Sequence, residues 1–599
     1  MEKVAVVIAV AATLVLVGTM LVRSHLGFDF TDEGFYLNSI SDPGHFPVSP
    51  TQFGYIYHPL YRLLRGDVAL LRQGNILISF CLAVLACLCL LQAVRPGGRW
   101  LSVWSLAVSV VAASSSLMIV IFIAARWLPT PSYNSLVFQS LLITSIGVCL
   151  AGNKASPASV GGWLLIGIGG GLAFAGKPTS AAALGAVTLC SLIMTGKLNG
   201  RLLGLSVLAC ALFVCVLGWS IEGSIMNFVA DLYQSAGSAR LLTGGKPGIF
   251  RYDPLYLENI DWYVAAFVTG WIVMLVEAGR IERQGVVIAV AFAGLASAVA
   301  ALALASGLLD PEIPSTRNQG LQFLAPIFAA FVVATLMWRR RSMLPALSKQ
   351  GIVLAVFFAG LPFVYAFGTI GDYWMASSGA AFFWTLSGIS LIASAGTQNQ
   401  MWRGVFPVAV VTLAMTVVFV YRGMMTPQRQ THPLTADREA VEVAGSGAKL
   451  LVSPDFARYI NGLARSSRAA GFQTGTAMID FSGHYPGALY LLGAKPAGAP
   501  WLIGGYPGSD ALAAGFLNRA SCEELARSWI LAEPDGPRKL SADVLSKNGI
   551  DIARDYTIAA VLDSPTGTYP DSYEQQLLKP ARPPQEAVAA CRSARERGG

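Results

Sequence analysis

Between its first apolar run and its second, the chain reads Gly27-Phe28-Asp29-Phe30-Thr31-Asp32-Glu33-Gly34-Phe35-Tyr36-Leu37. Three carboxylates stand among aromatics where a membrane helix would leave the lipid. Ionisable groups are costly near hydrocarbon, so an acidic cluster kept at that depth is a functional-site hypothesis. A carboxylate placed there can take a proton from an attacking hydroxyl or amine in a transition state. The competing reading is a solvated acid pair, or an acidic cap at the start of a short interfacial helix.

Other polar residues gather at the ends of apolar runs. The same first segment carries His45 and then Tyr55-Ile56-Tyr57-His58-Pro59-Leu60-Tyr61; the next carries Arg126-Trp127-Leu128-Pro129-Thr130-Pro131-Ser132-Tyr133-Asn134. The fifth run ends in Ala173-Phe174-Ala175-Gly176-Lys177-Pro178-Thr179, and later segments hold Arg317-Asn318-Gln319 and Gly371-Asp372-Tyr373-Trp374. Cations such as Lys177 and Arg317 can stabilise charge developing on a departing phosphate through charge-assisted hydrogen bonds. Each has a structural alternative. His58 reads equally as an interfacial ring, and Lys177 as a span-end anchor that snorkels to the headgroups. Arg126, Tyr133 and Asn134 read as loop residues near an interface, and Asp372 as a residue shaping an acceptor groove.

The elements that must position these groups are membrane helices. Of 599 residues, 54% are hydrophobic and 13% charged, against about 25% charged in soluble domains. Apolar windows long enough to span a bilayer recur near 4–22, 75–94, 100–123, 135–152, 160–175, 181–196, 202–222, 260–279, 285–306, 321–337, 350–368, 378–396 and 404–421. This predicts about thirteen spans, the first an uncleaved helix rather than a signal peptide. With the N-terminus inside, the short loops bearing Arg95 and Arg99, Lys154, Lys197 and Arg201, Arg280 and Arg283, Arg339 to Arg341, and Arg403 are cytoplasmic, as the positive-inside rule requires. The longer segments 23–74, 124–134, 223–259 and 307–320 then face outward, together with everything after 421. All the candidate groups fall on that outer side. The net charge of +8 belongs to these loops and to lipid-headgroup contact, not to a nucleic-acid surface.

Residues 422–599 read as a separate soluble domain following a transmembrane catalytic domain over 1–421. Short apolar runs at Lys449–Val452, Ala477–Ile479, Trp501–Ile503, Trp529–Leu531 and Thr557–Leu562 alternate with helix-like stretches at Asp510–Leu517 and Cys522–Ala526, the alternation of an α/β layered domain. The terminal polar run Arg592–Gly599 is expected to fray. Cys522 and Cys591 are the two cysteines of this tail, and an even pair suits a disulfide in an oxidising compartment. The other seven lie in apolar runs as small buried hydrophobes.

The Asp-Glu pair after the first span, His-Pro-Leu at 58–60 and Gly-x-Ala-Phe-x-x-Lys-Pro at 171–178 together resemble GT-C integral-membrane glycosyltransferases, in the branch of protein O-mannosyltransferases and lipid A aminoarabinose transferases. The resemblance covers the first 420 residues or so. It implies a donor sugar on a polyprenyl phosphate, transferred at the outer face of a plasma (inner) membrane with inversion by direct displacement. The acceptor would be an envelope glycan, lipid or protein. On that resemblance Asp32 is the base rather than Asp29, Glu33 orients it or binds acceptor, and Lys177 matches the lysine after the fifth span. His58 stands where the lipid A branch more often has Lys-Pro-Pro. A divalent metal is compatible with this set, but nothing in the sequence demands a cofactor. Two rivals are weighed against it. A flippase or transporter predicts polar residues along the spans and broken helices at mid-membrane, whereas these spans are poor in charge. A ligase of whole glycans generally relies on arginines and a histidine rather than an early Asp-Glu pair.

Overall fold

A computed structural model describes residues 2–46, 49–94, 102–122, 126–242, 253–257, 259–280, 296, 319–339, 348–369, 371–395, 401–567 and 569–598. The protein is a polytopic α-helical membrane protein with a soluble C-terminal α/β domain. Among the described residues eight helices are long and apolar enough to cross a membrane, or nine if the bent pair Tyr373–Ala380 and Phe382–Ser394, kinked by 66°, is one span. Pro178–Met194 and Gly320–Leu336 are shorter apolar helices. Twelve of the thirteen predicted windows fall on helices; the window at 285–306 lies outside the described residues but for 296. The chain divides into two compact units, one of 1–24, 72–217 and 249–424, the other of 25–71, 218–248 and 425–599.

The first unit is a helix bundle packed by small residues and internal hydrogen bonds. Helices Tyr133–Leu150 and Pro157–Gly176 approach so closely that a β-carbon on Gly147 would lie 2.6 Å from the Gly162 carbonyl oxygen, and one on Gly162 2.8 Å from that of Gly147. Such contacts gain dispersion where lipid offers no hydrophobic drive. Helices Lys349–Ala366 and Phe382–Ala395 are joined by Ser387 Oγ donating to the Ala355 carbonyl (2.8 Å) and Ser390 Oγ to that of Gly351 (2.9 Å). Arg72, fully buried, donates to the Ser24 carbonyl (2.7 Å) and Thr130 Oγ1 (3.2 Å). Asn75 donates to the Pro129 carbonyl (2.9 Å) and accepts from Gln139 (3.0 Å). These contacts fix the loop that leads into Tyr133.

The second unit is built on a five-stranded sheet in the order Lys495–Pro496, Ala477–Asp480, Trp529–Ala532, Glu574–Pro580, Tyr556–Asp563. The first three strands are parallel and joined through helices, while Glu574–Pro580 runs antiparallel to both its neighbours and follows Tyr556–Asp563 through a loop. The strand Trp529–Ala532 is buried on both faces, hence its unbroken apolar reading. A hairpin, Glu439–Glu442 with Lys449–Val452, stands apart from the sheet. Two expectations fail. Trp501–Ile503 is not a strand: the segment runs as a loop, with the Trp501 ring nitrogen donating to the Gly483 carbonyl (2.9 Å). The polar end does not fray: helix Pro584–Gly598 includes it, and a disulfide joins Cys591 to Cys522 on helix Cys522–Leu525.

Candidate active site

The backbone around Asp32 is fixed before any charge is considered. Phe28 and Phe30 are fully buried, and the Phe30 ring packs against Phe456, Tyr459 and Tyr485 at centroid distances of 5.2, 5.5 and 5.3 Å. Aromatic pairs at such distances add to their area burial. The amide of Gly487 donates to the Phe30 carbonyl (2.7 Å), and Asn38 donates to the carbonyl of Pro486 (2.9 Å). Helix Asp32–Ser41 thus lies directly on helix Pro486–Leu492. The contact is backbone to backbone: a β-carbon on Gly34 would stand 2.2 Å from the Gly487 nitrogen. No residue but glycine fits at 34 without moving one helix.

The three carboxylates then separate by role. Asp29 and Glu33 cap each other's backbone. Glu33 Oε2 accepts the Asp29 N–H (3.1 Å), while Asp29 Oδ2 accepts the Glu33 N–H (3.2 Å) and Oδ1 the Thr31 hydroxyl (2.8 Å). Both side chains are buried. This is the reciprocal arrangement by which a helix start satisfies its orphan N–H groups. The capping alternative is therefore the observed geometry for Glu33 and Asp29. Asp32 is different: its side chain keeps 17% of its exposure and meets the guanidinium of Arg429 at 3.0 Å, with Gln428 at 3.5 Å. Burial pushes its carboxyl above the usual range, Arg429 pulls it back, and the neighbouring Asp29 pushes it up again.

Arg429, which the motif reading missed, lies a few residues past the last span and reaches Asp29 at 4.0 Å as well. Its backbone is left-handed, with φ 51°, a conformation uncommon outside glycine and found at ligand clamps and switches. Behind it lies a polar network. Arg538 donates to the Tyr569 hydroxyl and lies over the Tyr506 ring at 5.5 Å. The His484 ring meets Tyr569 edge-on at 5.2 Å and stands 3.5 Å from Glu533 Oε1, whose other oxygen accepts from Gln575 (2.7 Å). Burial lowers the His484 imidazole to about 3, and it raises the Glu533 carboxyl to about 7 and that of Asp480 to about 6. The one signal in the sequence that could have found Arg429 was a cation immediately after an outward span end.

His58 belongs to the same unit as Asp32. Its Nδ1 donates to the Ile40 carbonyl (2.7 Å), tying helix Phe53–Leu63 to the end of helix Asp32–Ser41. In the helix bundle Lys177 is buried between two tyrosine rings, its ammonium 4.9 Å from the centroid of Tyr365 and 5.3 Å from that of Tyr133. It also donates to the Tyr365 carbonyl (3.4 Å). Among the described residues no carboxylate pairs with it, so the rings carry the attraction. Tyr133 and Asn134, both half-buried, open the helix that begins at Tyr133, and Ser132 caps it. Arg126 is exposed on a two-residue strand. Asp372 caps helix Tyr373–Ser377 by accepting the Met375 N–H (3.0 Å). Arg317 lies outside the described residues. Among the described residues, no three His, Cys, Asp or Glu side chains are grouped as ligands for a metal ion.

No family model matches the chain, and no curated protein does. Among solved structures it is similar to the crystal structure of ArnT from Cupriavidus metallidurans bound to undecaprenyl phosphate. The identity is 14% and the TM-score 0.41, over 96% of this chain and 98% of that one. It is also similar to the apo state of that ArnT, with 12% identity and a TM-score of 0.37 over 96% of this chain and 97% of the other. At these levels the fold and the chemistry rest on the chain's own elements.

Proposed function

We propose that the protein is a membrane glycosyltransferase of GT-C type that moves a monosaccharide from a polyprenyl phosphate to an envelope glycan, lipid or protein on the outer side of the membrane. The observation that carries this reading is the division of labour at 29–33. Two carboxylates are occupied by capping, while Asp32 stays accessible, with a raised proton affinity, against an arginine. A carboxylate so placed suits a general base, whose pKa works best when raised toward the operating pH. An acceptor hydroxyl or amine attacks the anomeric carbon and loses its proton to Asp32. The bond from that carbon to the phosphate oxygen breaks, its electron pair leaving with the lipid phosphate. Cations stabilise the phosphate as charge develops; Arg429 is the candidate beside Asp32, Lys177 the candidate in the bundle, and Arg317 a further one from the sequence. His58 offers Nε2 for a substrate contact while Nδ1 holds Ile40.

The test is direct. Purified protein in lipid vesicles receives undecaprenyl-phosphate-linked sugars, labelled in the sugar, with an envelope extract, in parallel with magnesium and with a chelator. Appearance of label in an acceptor fraction, with inverted anomeric configuration, is the expected result. Movement of the labelled lipid between leaflets with no transfer from any donor would replace the enzyme by a carrier.

A further inference from the structure

The parallel part of the tail sheet contains a topological switch. From Ala477–Asp480 the chain passes to Lys495–Pro496 on one side, then crosses over to Trp529–Ala532 on the other, and from there it moves on to Tyr556–Asp563 at the far edge. The connections that leave Asp480 and Ala532 thus run in opposite directions. Open α/β sheets take ligands in the crevice outside the carboxyl ends of the strands at such a point. Here the two strand ends are followed by the loops 481–485 and 533–541.

A third loop, after Lys495–Pro496, closes on the other two. The Gly504 N–H and the Trp501 ring nitrogen both donate to the Gly483 carbonyl (2.9 Å each). The Arg538 carbonyl oxygen presses on both glycines: a β-carbon on Gly483 would stand 2.2 Å from it, and one on Gly504 1.8 Å. With its backbone held, the half-buried Arg538 lays its side chain beside Gly505 and over the Tyr506 ring, and its Nε donates to the Tyr569 hydroxyl.

The charge of this crevice is uncompensated. Arg429 has Asp32 at 3.0 Å and Asp29 at 4.0 Å. Arg538 has only neutral partners, the two tyrosines and the Gly504 carbonyl at 3.5 Å; among the described residues no carboxylate forms an ion pair with it. Its field nonetheless reaches Asp32 and His484. Withdrawing a charge from water without a counter-ion is costly, and a guanidinium fork matches a carboxylate or a phosphate in a bidentate pair. In the transferase reading the group that touches Asp32 is the attacking nucleophile, so the crevice adjoining Asp32 holds the rest of the acceptor.

We propose that the crevice at the carboxyl ends of Ala477–Asp480 and Trp529–Ala532 binds an anionic saccharide as acceptor, its carboxylate or phosphate pairing with Arg538 while a neighbouring hydroxyl reaches Asp32. That the anion belongs to the acceptor rests on the transferase reading; that Arg538 binds an anion does not.

Full-length protein in nanodiscs of phosphatidylcholine is titrated, with no donor present, with glucose 6-phosphate, glucuronate and neutral glucose, and binding is followed by saturation-transfer NMR. At least one charged sugar is expected to bind more tightly than glucose and to be weakened about tenfold or more in Arg538→Met, the scale of one hydrogen bond to a charged group, with partial recovery in Arg538→Lys. Preference for the phosphate marks a phosphorylated acceptor, preference for the uronate a carboxylated one. Equal binding of all three sugars, or undiminished binding by Arg538→Met, would overturn the proposal. As a second measurement on the unmodified chain, phenylglyoxal modification is mapped by mass spectrometry. The charged sugar should slow modification of Arg538 and leave the exposed Arg458 unaffected; no protection of Arg538 would refute the site. Protection of Arg538 with no transfer from any donor would leave the anion site standing and remove its role as an acceptor site together with the transferase reading. Transfer to an acidic acceptor whose KM is unchanged in Arg538→Met would sink this site alone.

Discussion

The separation of Asp32 from Glu33 predicts a crossed pattern in two neutral variants of adjacent residues. If Asp32 is the base, Asp32→Asn removes general-base catalysis, which contributes about 10²–10⁴-fold. That is roughly 2.7–5.5 kcal/mol at 1.36 kcal/mol per decade. Its effect on stability has the opposite sense. The folded protein raises the Asp32 pKa above its unfolded value, so the group's stabilising contribution is present below the unfolded pKa and lost as pH rises through the folded one. At neutral pH the ionised carboxylate is a net burden on the fold even with Arg429 beside it, and the amide relieves that burden. Asp32→Asn is therefore inactive and at least as stable as wild type. Glu33→Gln behaves the other way. It weakens the charge-assisted cap on the Asp29 N–H, at a cost of about 1 kcal/mol, and leaves transfer per folded molecule unchanged. The assay pairs initial rates of sugar transfer in vesicles with denaturation midpoints of the same preparations. A folded Glu33→Gln protein that loses transfer as deeply as Asp32→Asn would refute the assignment, as would Asp32→Asn retaining the wild-type rate.

Other predictions follow from the same geometry. Arg429→Met removes the charge that lowers the Asp32 pKa, so the acid limb of the kcat/KM–pH profile moves to higher pH, with loss of rate at neutrality; an unmoved limb would detach Arg429 from the base. Gly34→Ala places a methyl 2.2 Å from the Gly487 nitrogen and forces the two helices apart; overpacking costs about 1–3 kcal/mol, read as a lowered midpoint together with lost transfer. Cys591→Ser opens a loop of 69 residues and lowers stability by about 4 kcal/mol on the chain-entropy estimate, measured by denaturant unfolding with and without reductant. Between about pH 4.5 and 6 the folded tail holds two carboxyl protons, on Asp480 and Glu533, that the unfolded chain releases, and lacks the one that unfolded His484 binds. These three groups therefore make stability fall as pH rises there, and Glu533 alone extends the fall to about 7; Glu533→Gln should flatten the slope of the midpoint against pH.

The helices were legible because a span is a local property: twenty apolar residues suffice, and twelve of the predicted windows fall on helices. Four of the tail's strands, at Lys449–Val452, Ala477–Asp480, Trp529–Ala532 and Tyr556–Asp563, were legible for the same reason, whereas Glu439–Glu442, Lys495–Pro496 and the polar-flanked Glu574–Pro580 were not read and Trp501–Ile503 runs as a loop. What local reading could not reach was pairing across the chain. Phe30 reads as an aromatic near an interface, yet its partners are Phe456, Tyr459 and Tyr485, more than four hundred residues on. Arg429 was missed for the same reason: its place after a span end marks a cation there, but its importance comes from Asp32. The roles of Glu33 and Asp32 were not separable either, because adjacent residues on a helix start point in different directions and only the packing of that helix says which way.

That packing also explains why three carboxylates can share so small a volume. Burial penalises a charged carboxylate, so acids buried together each need donors. Asp29 and Glu33 accept backbone N–H groups that must be satisfied in any case. Asp32 instead meets side-chain donors among the described residues, Arg429 and Gln428, with Arg538 adding a weaker attraction. On the proposed reaction this pairing has a consequence. A phosphate that gathers charge near Arg429 competes with Asp32 for the same guanidinium, and as it does so the carboxylate holds the acceptor's proton more firmly. Leaving-group departure and proton transfer would then be coupled through one arginine. In Arg429→Met the coupling is gone, so a donor with a better leaving group should speed the wild type and the variant unequally; equal acceleration of both would show that Arg429 does no more than neutralise Asp32.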